Sequence, residues 1–281
     1  MGRVKHPDAL MALLRAAASD PVVTEHFDYR PCRKLKGLQT MDIIMNRLSD
    51  LRLLDQNMKK RIITSRVIIF TALIFLCLGA MATAQEKMKD QLLDQKVRAF
   101  LKRQEGKWVD MNVPASDGKA LYDIIVKNKY TSALEIGTST GHSAVWIAWA
   151  LSKTGGRLIT IEIDEERYNE ALANFKEAGL ADRIDARLAD AHDLVKELKG
   201  PFDFVFCDAD KQWYTNYFID ILPKLKVGGC YTAHNVSDRQ WGRRGIGGTR
   251  EFYDYVVSLP NMATSVDSSG AGLSISFKRS D

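Results

Sequence analysis

From Gln85 to the C terminus the sequence switches repeatedly between two hydrophobic periods, and no other feature constrains the fold so tightly. Helix-like spacing of apolar residues appears in Glu86–Arg103, Asp117–Lys127, Ser143–Leu151, Glu165–Ala178, Asp193–Leu198, Tyr214–Leu225 and Thr249–Leu259. Between these lie short apolar runs of strand type: SALEIG (132–137), RLITIEI (157–163), IDARLA (184–189), FDFVFCD (202–208) and GGCYTAH (228–234). ATSVDSS and LSISFKR supply two final strands near the C terminus. Strands that alternate with helices form βαβ units, whose sheet is buried on both faces. The expectation is one α/β domain over 85–281, with a mostly parallel sheet of seven strands and additional N-terminal helices.

Before Gln85 the character differs. Residues 1–84 hold 13 Lys and Arg against 7 Asp and Glu, whereas residues 85–281 hold 27 against 28. The formal charge of +5 therefore belongs to the leader, and the folded part offers no basic bias toward nucleic acid. The stretch MKKRIITSRVIIFTALIFLCLGAMATAQ (Met58–Gln85) has the parts of a secretory signal. Lys59, Lys60, Arg61 and Arg66 form a cationic start, Val67–Ala80 an apolar core, and Ala82-Thr83-Ala84 a small-x-small cleavage site. The core has 14 residues, against the roughly 20 that span a bilayer. The organisation expected is an extension over 1–57 with Met58 as the true start, a signal peptide or membrane anchor over 58–84, and the domain over 85–281. Either of these readings of 58–84 makes the domain exported, periplasmic or membrane-anchored, with membrane contact only through 59–84; an ordinary buried helix is the third reading. Residues 1–57 add weakly amphipathic stretches at Pro7–Ala18 and Thr40–Gln56. Cysteines at 32, 77, 207 and 230 have no metal-like spacing and read as small buried hydrophobes.

In sheets of this kind ligands bind beyond the carboxyl ends of the strands, so the residues following each strand carry the functional reading. EIGTSTGHS (135–143) places Gly137 and Gly141 in a tight turn, with G-x-x-x-G spacing rather than the G-x-G-x-x-G of a dinucleotide loop. The second strand ends at Glu162 and Asp164; an acid there can accept ribose hydroxyls or cap the next helix. ADAHD (189–193) offers Asp190 either as a neighbour of adenine or as an N-cap. FCDADKQWY (206–214) groups Asp208, Asp210 and Lys211: carboxylates suited to a divalent cation through oxygen, beside a lysine suited to base chemistry. The fifth strand ends in His234 and Asn235 at the same edge, a polar pair on an otherwise apolar run.

The motifs MNVPASDGKAL, ALEIGTSTGHSAVWIA, RLITIEID, FCDADKQWY and AHNV resemble, in order and spacing, the S-adenosylmethionine-dependent O-methyltransferases of the catechol and caffeoyl-CoA type. The resemblance covers roughly Asp110–Lys278 and implies a Rossmann-like class I methyltransferase fold. It implies that Met111, Asn112 and Val113 line the methyl-donor pocket, and that Glu135, Gly137, Gly141 and Ser143 hold the methionine part. Glu162 would then hold the ribose, and Asp190 and Ala191 would flank the adenine. Asp208 would be a metal ligand that also borders the cofactor, Lys211 the general base, and Tyr214 a residue of the caffeoyl-CoA branch. The family has Asp-Asn where this chain has His234-Asn235. A metal set of Asp208, His234 and Asn235 departs from the all-oxygen pattern suited to Mg²⁺ and favours a transition metal. Metal-free operation is the alternative, with His234 as base or substrate contact. SDRQWGRRGIGG (237–248) is expected as a loop over the acceptor, with Arg243 and Arg244 attracting an anion.

The partner expected is a small-molecule hydroxyl acceptor, phenolic or catechol-like, with no nucleic acid; a homodimer is left open. Two other classes stay in view. An exported non-catalytic binding module on the same fold would remove the conflict between export and a cytoplasmic methyl donor. A nucleotide-dependent oxidoreductase lacks its third glycine here. A nucleic-acid amino-methyltransferase is disfavoured, because DADK stands where that group carries D/N-P-P-Y/F.

Overall fold

The computed structural model describes residues 37–108, 111–237 and 247–281. The chain clusters into two compact units that divide between Gly79 and Ala80. The first described element, α1 (Gly37–Gln104), is a single helix that takes in the 58–84 stretch, Thr40–Gln56 and the helix expected at Glu86–Arg103. Among the described residues no helix is long and apolar enough to cross a membrane, so the anchor reading gains no support. Pro7–Ala18 and Cys32 lie outside the described residues, as do Arg243 and Arg244 of the expected acceptor loop. Cys77 is exposed, whereas Cys207 and Cys230 are buried as expected.

The second unit carries the sheet. Its elements are α2 (Ala115–Asn128), β1 (Ser132–Ile136), α3 (His142–Thr154), β2 (Arg157–Glu162), α4 (Glu165–Ala178), β3 (Ile184–Leu188), α5 (Ala191–Glu197), β4 (Phe202–Cys207), α6 (Tyr214–Ile221), β5 (Leu225–His234), α7 (Thr249–Ser258), β6 (Met262–Asp267) and β7 (Leu273–Lys278). The seven strands run β3-β2-β1-β4-β5-β7-β6. β1 to β5 pair in parallel, and β7 lies antiparallel between β5 and β6. This is the mostly parallel Rossmann-like sheet that the motifs imply.

The period of two decides which face each side chain serves. On β4, Phe204 and Phe206 enter one core while Val205 and Cys207 enter the other. The first core is closed by Val97 and Phe100 of α1, Leu121 and Ile125 of α2, the apolar side of α3, and Phe175 of α4. The second is closed by Val195 of α5, Tyr217 and Phe218 of α6, and Phe252 and Val256 of α7. With both faces covered, all six residues of β4 are buried, which is why FDFVFC reads as a continuous apolar run. Asp203 within it accepts the backbone N–H groups of Thr131 and Ser132. The order reverses between β1 and β4, and that reversal opens a crevice at the strands' carboxyl ends.

Candidate active site

A cavity of about 780 Å³ occupies this crevice. Gly137, Glu162, Asp190, Ala191, Asp208, Lys211, His234 and Asn235 all line it, together with Met111 and Asn112. Val113, Glu135, Gly141 and Ser143 instead lie behind its wall. Val113 is buried, and its carbonyl accepts from His142 Nδ1 at 2.8 Å. Gly141 starts α3 with φ of 95°, and a Cβ there would meet the Phe175 ring at 2.6 Å, so its smallness serves packing.

The half of the cavity built by β1 and β2 is fixed by backbone donors. Gly137 turns with φ of 97°, and a Cβ on it would lie 2.5 Å from the Asp208 carbonyl oxygen. Only glycine lets the loops after β1 and β4 approach so closely. Glu162 Oε1 accepts from the N–H groups of Ile163 and Asp164, both at 2.9 Å, and Oε2 from that of Ser139 at 2.6 Å. Its carboxylate is thereby held at the cavity edge. Asp164 caps α4 by accepting from Arg167 N–H, the role its position suggests. Asp190 caps α5 through His192 N–H, one of its two readings, and also lines the cavity.

Glu135 lies fully buried on β1 beneath this half. Thr160 Oγ1 donates to its Oε2 at 2.5 Å, while Oε1 has no hydrogen-bond partner. Burial pushes the carboxyl up to about 8; Ser143 and Thr160 pull the other way, and the charges of Asp208 and Glu162 add to the rise. A buried carboxyl with one empty acceptor is costly unless a donor arrives. The methionine part of S-adenosylmethionine carries a cationic amino group, so this oxygen fits the cofactor that the motifs imply.

At the other half, four charged groups from three parts of the fold converge. Asp208 follows β4; Lys211 Nζ lies 2.5 Å from its Oδ1 and His234 Nδ1 3.1 Å from its Oδ2. The Nδ1 contact is close but poorly aligned, an ion-pair approach rather than a directed hydrogen bond. His234 ends β5, and its Nε2 meets Asp117 Oδ2 at 2.9 Å. Asp117 comes from the first turn of α2, is buried, and also accepts from Ala271 N–H at 3.0 Å. A Cβ on Gly270 would collide with Asp117 Oδ1, so the loop before β7 is shaped around this carboxylate.

Electrostatics follow from the geometry. Burial raises the Asp208 carboxyl, but His234 and Lys211 outweigh it and hold Asp208 below its ordinary value. Burial likewise raises Asp117, and His234 with the Ala271 N–H brings it down. For His234, burial pulls the imidazole down, yet the two carboxylates push it up to about 9. Tyr214, buried at the start of α6, donates to the His234 carbonyl at 3.2 Å, and Asn235 takes a left-handed φ of 57° at the strand's end.

These contacts bear on the metal set that the motifs imply. Asp208 and Asn235 line the cavity wall, but Asp208 already meets a nitrogen at each oxygen, and both ring nitrogens of His234 face carboxylates. Among the described residues no group of three or more His, Cys, Asp or Glu is arranged to hold a metal ion. The set Asp208, His234 and Asn235 therefore does not fit a divalent cation.

Two residues of this site lack a sequence signal strong enough to find them. Asp117 reads as an ordinary first-turn acid, because its partner is 117 positions away. His192 follows Asp190 closely and packs on Trp213 at 4.5 Å and Tyr217 at 5.7 Å between ring centroids; its place after the third strand was the available clue.

A family model described as O-methyltransferase matches residues 82–241. The chain belongs to the O-methyltransferase family. It is 39% identical over 130 residues to a catechol O-methyltransferase of Niastella koreensis, covering 45% of this chain and 58% of that protein. To caffeoyl-CoA O-methyltransferase 1 of Eucalyptus globulus it is 35% identical over 134 residues, 46% of this chain and 54% of the relative. The chain thus spans little more than half the length of these curated relatives. Among solved structures it is similar to an O-methyltransferase from Bacillus cereus in complex with SAH, with TM-score 0.58, 27% identity, and coverage of 66% of this chain and 91% of the other. An O-methyltransferase of Streptomyces achromogenes involved in tomaymycin synthesis, in complex with SAM, gives TM-score 0.55 and 27% identity over 67% of this chain and 89% of the other. Membership of this family removes the oxidoreductase reading.

Proposed function

We propose that the protein transfers a methyl group from S-adenosylmethionine to a hydroxyl of a small phenolic or catechol-like acceptor. The observation that carries this reading is the cavity, which has backbone-fixed acids at its β1–β2 half and the Asp208–Lys211–His234 group at its β4–β5 half. S-adenosylmethionine, when bound, supplies a methyl carbon on a sulfonium that departs as a neutral thioether with the carbon–sulfur electron pair.

The chain's own residues have three tasks. Glu162 holds the ribose of the donor at the cavity edge, with Asp190 and Ala191 beside the adenine and Glu135 behind the wall on the methionine side. The crevice aligns acceptor oxygen and methyl carbon, which is the largest part of what a protein contributes to an in-line displacement. Lys211, whose Nζ lies beside Asp208 at the cavity wall, is the base we assign to the proton of the acceptor hydroxyl as the new oxygen–carbon bond forms. The relatives named for catechol and caffeoyl-CoA support a phenolic acceptor.

Calorimetry with S-adenosylmethionine, paired with mass spectrometry of catechol as acceptor, tests this. Binding of the donor and a methyl ether product are expected. Lys211→Ala should lower kcat about a hundredfold or more with donor affinity retained. Undiminished transfer in both Lys211→Ala and Asp208→Ala would refute the roles assigned, and failure of the wild type to bind the donor would refute the reading itself.

A further inference from the structure

His234 is held between two buried carboxylates. Its Nε2 lies 2.9 Å from Asp117 Oδ2 and its Nδ1 3.1 Å from Asp208 Oδ2. A neutral imidazole carries one N–H and one lone pair. Whichever nitrogen held the lone pair, it would face a carboxylate oxygen at short range. A ring with hydrogen on both nitrogens turns both contacts into attractions.

Charge counting points the same way. Asp117 and Asp208 are two negative groups; a neutral His234 leaves the three residues at a net of two negative charges, and a cationic ring brings them to one. In the Asp-Asn pattern that the family motif carries, the residue at position 234 is a carboxylate, and a bound dication brings that position to a net of one positive charge. An imidazolium at 234 brings the same net charge without an ion. The substitution therefore conserves the electrostatics of the acceptor site while removing the ligand. The loop before β7 is shaped to suit. Gly270 leaves room for Asp117, and Ala271 N–H braces the carboxylate oxygen that meets His234.

We propose that His234, held as a cation by Asp117 and Asp208, takes the place of a divalent metal and makes methyl transfer by this protein metal-independent. The cation lines the cavity beside Lys211. There it stabilises the oxyanion that forms when the acceptor hydroxyl gives up its proton, the electrostatic task of a bound ion in such a site. Asp117 is the positioning residue that fixes the ring.

This inference rests on the methyltransferase reading, and the test separates the two. The full chain, dialysed against chelator, is titrated with Mn²⁺ followed by electron paramagnetic resonance and with Zn²⁺ followed by calorimetry. Donor binding is measured in the same preparation. Expected for the wild type are no stoichiometric binding of either ion and a transfer rate unchanged by chelator. His234→Asp, which restores an oxygen ligand, should bind Mn²⁺ and show a rate that chelator abolishes and Mn²⁺ restores. Where that variant does not fold, the wild-type titrations decide alone. One Mn²⁺ or Zn²⁺ per wild-type chain, lost in Asp208→Ala, would overturn the proposal, as would a wild-type rate that chelator removes and metal recovers. Absence of donor binding would count against the methyltransferase reading, while the ion titrations would still report on His234.

Discussion

Two histidines show how placement alone sets the character of a residue. His234 faces carboxylates on both sides and is pushed up to about 9. His142, at the start of α3, is brought down to about 4, first by burial. Its Nδ1–H donates to the Val113 carbonyl, and its Nε2 accepts from Trp146 Nε1–H at 3.1 Å, a pair of contacts that only a neutral ring satisfies. The helix N terminus disfavours a positive charge there as well. Between pH 6.5 and 4 the unfolded chain takes up a proton at this histidine while the folded chain does not. Stability therefore falls as pH drops through that window, by up to about 3 kcal/mol from this residue. Urea unfolding of the wild type and His142→Gln at several pH values checks this, with a flatter pH slope expected for the variant. Identical slopes would show that the histidine takes up its proton equally in the folded and unfolded states. A second residue-scale outcome concerns Gly270. A methyl group there collides with Asp117 Oδ1, so Gly270→Ala should cost about 1–3 kcal/mol and lower the transfer rate by displacing Asp117 from His234. A Gly270→Ala protein with unchanged melting and unchanged rate would show that the Asp117 position is not demanding.

At the scale of elements, most of the fold is legible because burial on two faces leaves uninterrupted apolar runs. FDFVFC stands out for that reason, and α4 begins and ends where its Asp164 cap and Gly179 C-cap require. Other boundaries moved for local causes. The helix expected at Tyr214–Leu225 ends at Ile221, and Pro223 accompanies a tighter 3-10 turn over Leu222–Lys224, since proline supplies no N–H for a continuing helix. α5 starts at Ala191 because Asp190 caps it. Strand ends also disclosed most of the candidate site, since whatever follows a parallel strand faces the crevice. What stayed hidden was pairing across elements. Nothing in the spacing of Asp117, on a helix before β1, tells that β5 will carry His234 against it. The exclusion of Val113 and Glu135 from the cavity wall is likewise a matter of packing depth, which a linear pattern does not encode.

At the scale of the whole molecule, the question is how much of the chain the sheet-bearing unit draws upon. Among the described side chains, α1 contributes Leu93, Val97, Phe100 and Leu101 to the first core. Asp94 accepts from Trp149 Nε1–H at 2.7 Å and pairs with Lys153, and Arg103 pairs with Glu177. All of these follow Gln85, the residue that would become the N terminus if the 58–84 stretch acts as a cleaved signal. A chain of residues 85–281 is therefore expected to melt as cooperatively as the full chain's folded unit and to bind S-adenosylmethionine with the same affinity. Phe100→Ala in either chain should cost about 3–5 kcal/mol, because it empties a fully buried aromatic site. Sequencing the N terminus of natively expressed protein addresses the same boundary from the other side; Gln85 as first residue would support cleavage after Ala84. A shortened chain that melts non-cooperatively or loses donor affinity would mean that residues before Gln85 support the site, and a native product retaining 58–84 would remove the cleavage reading while leaving the fold argument intact.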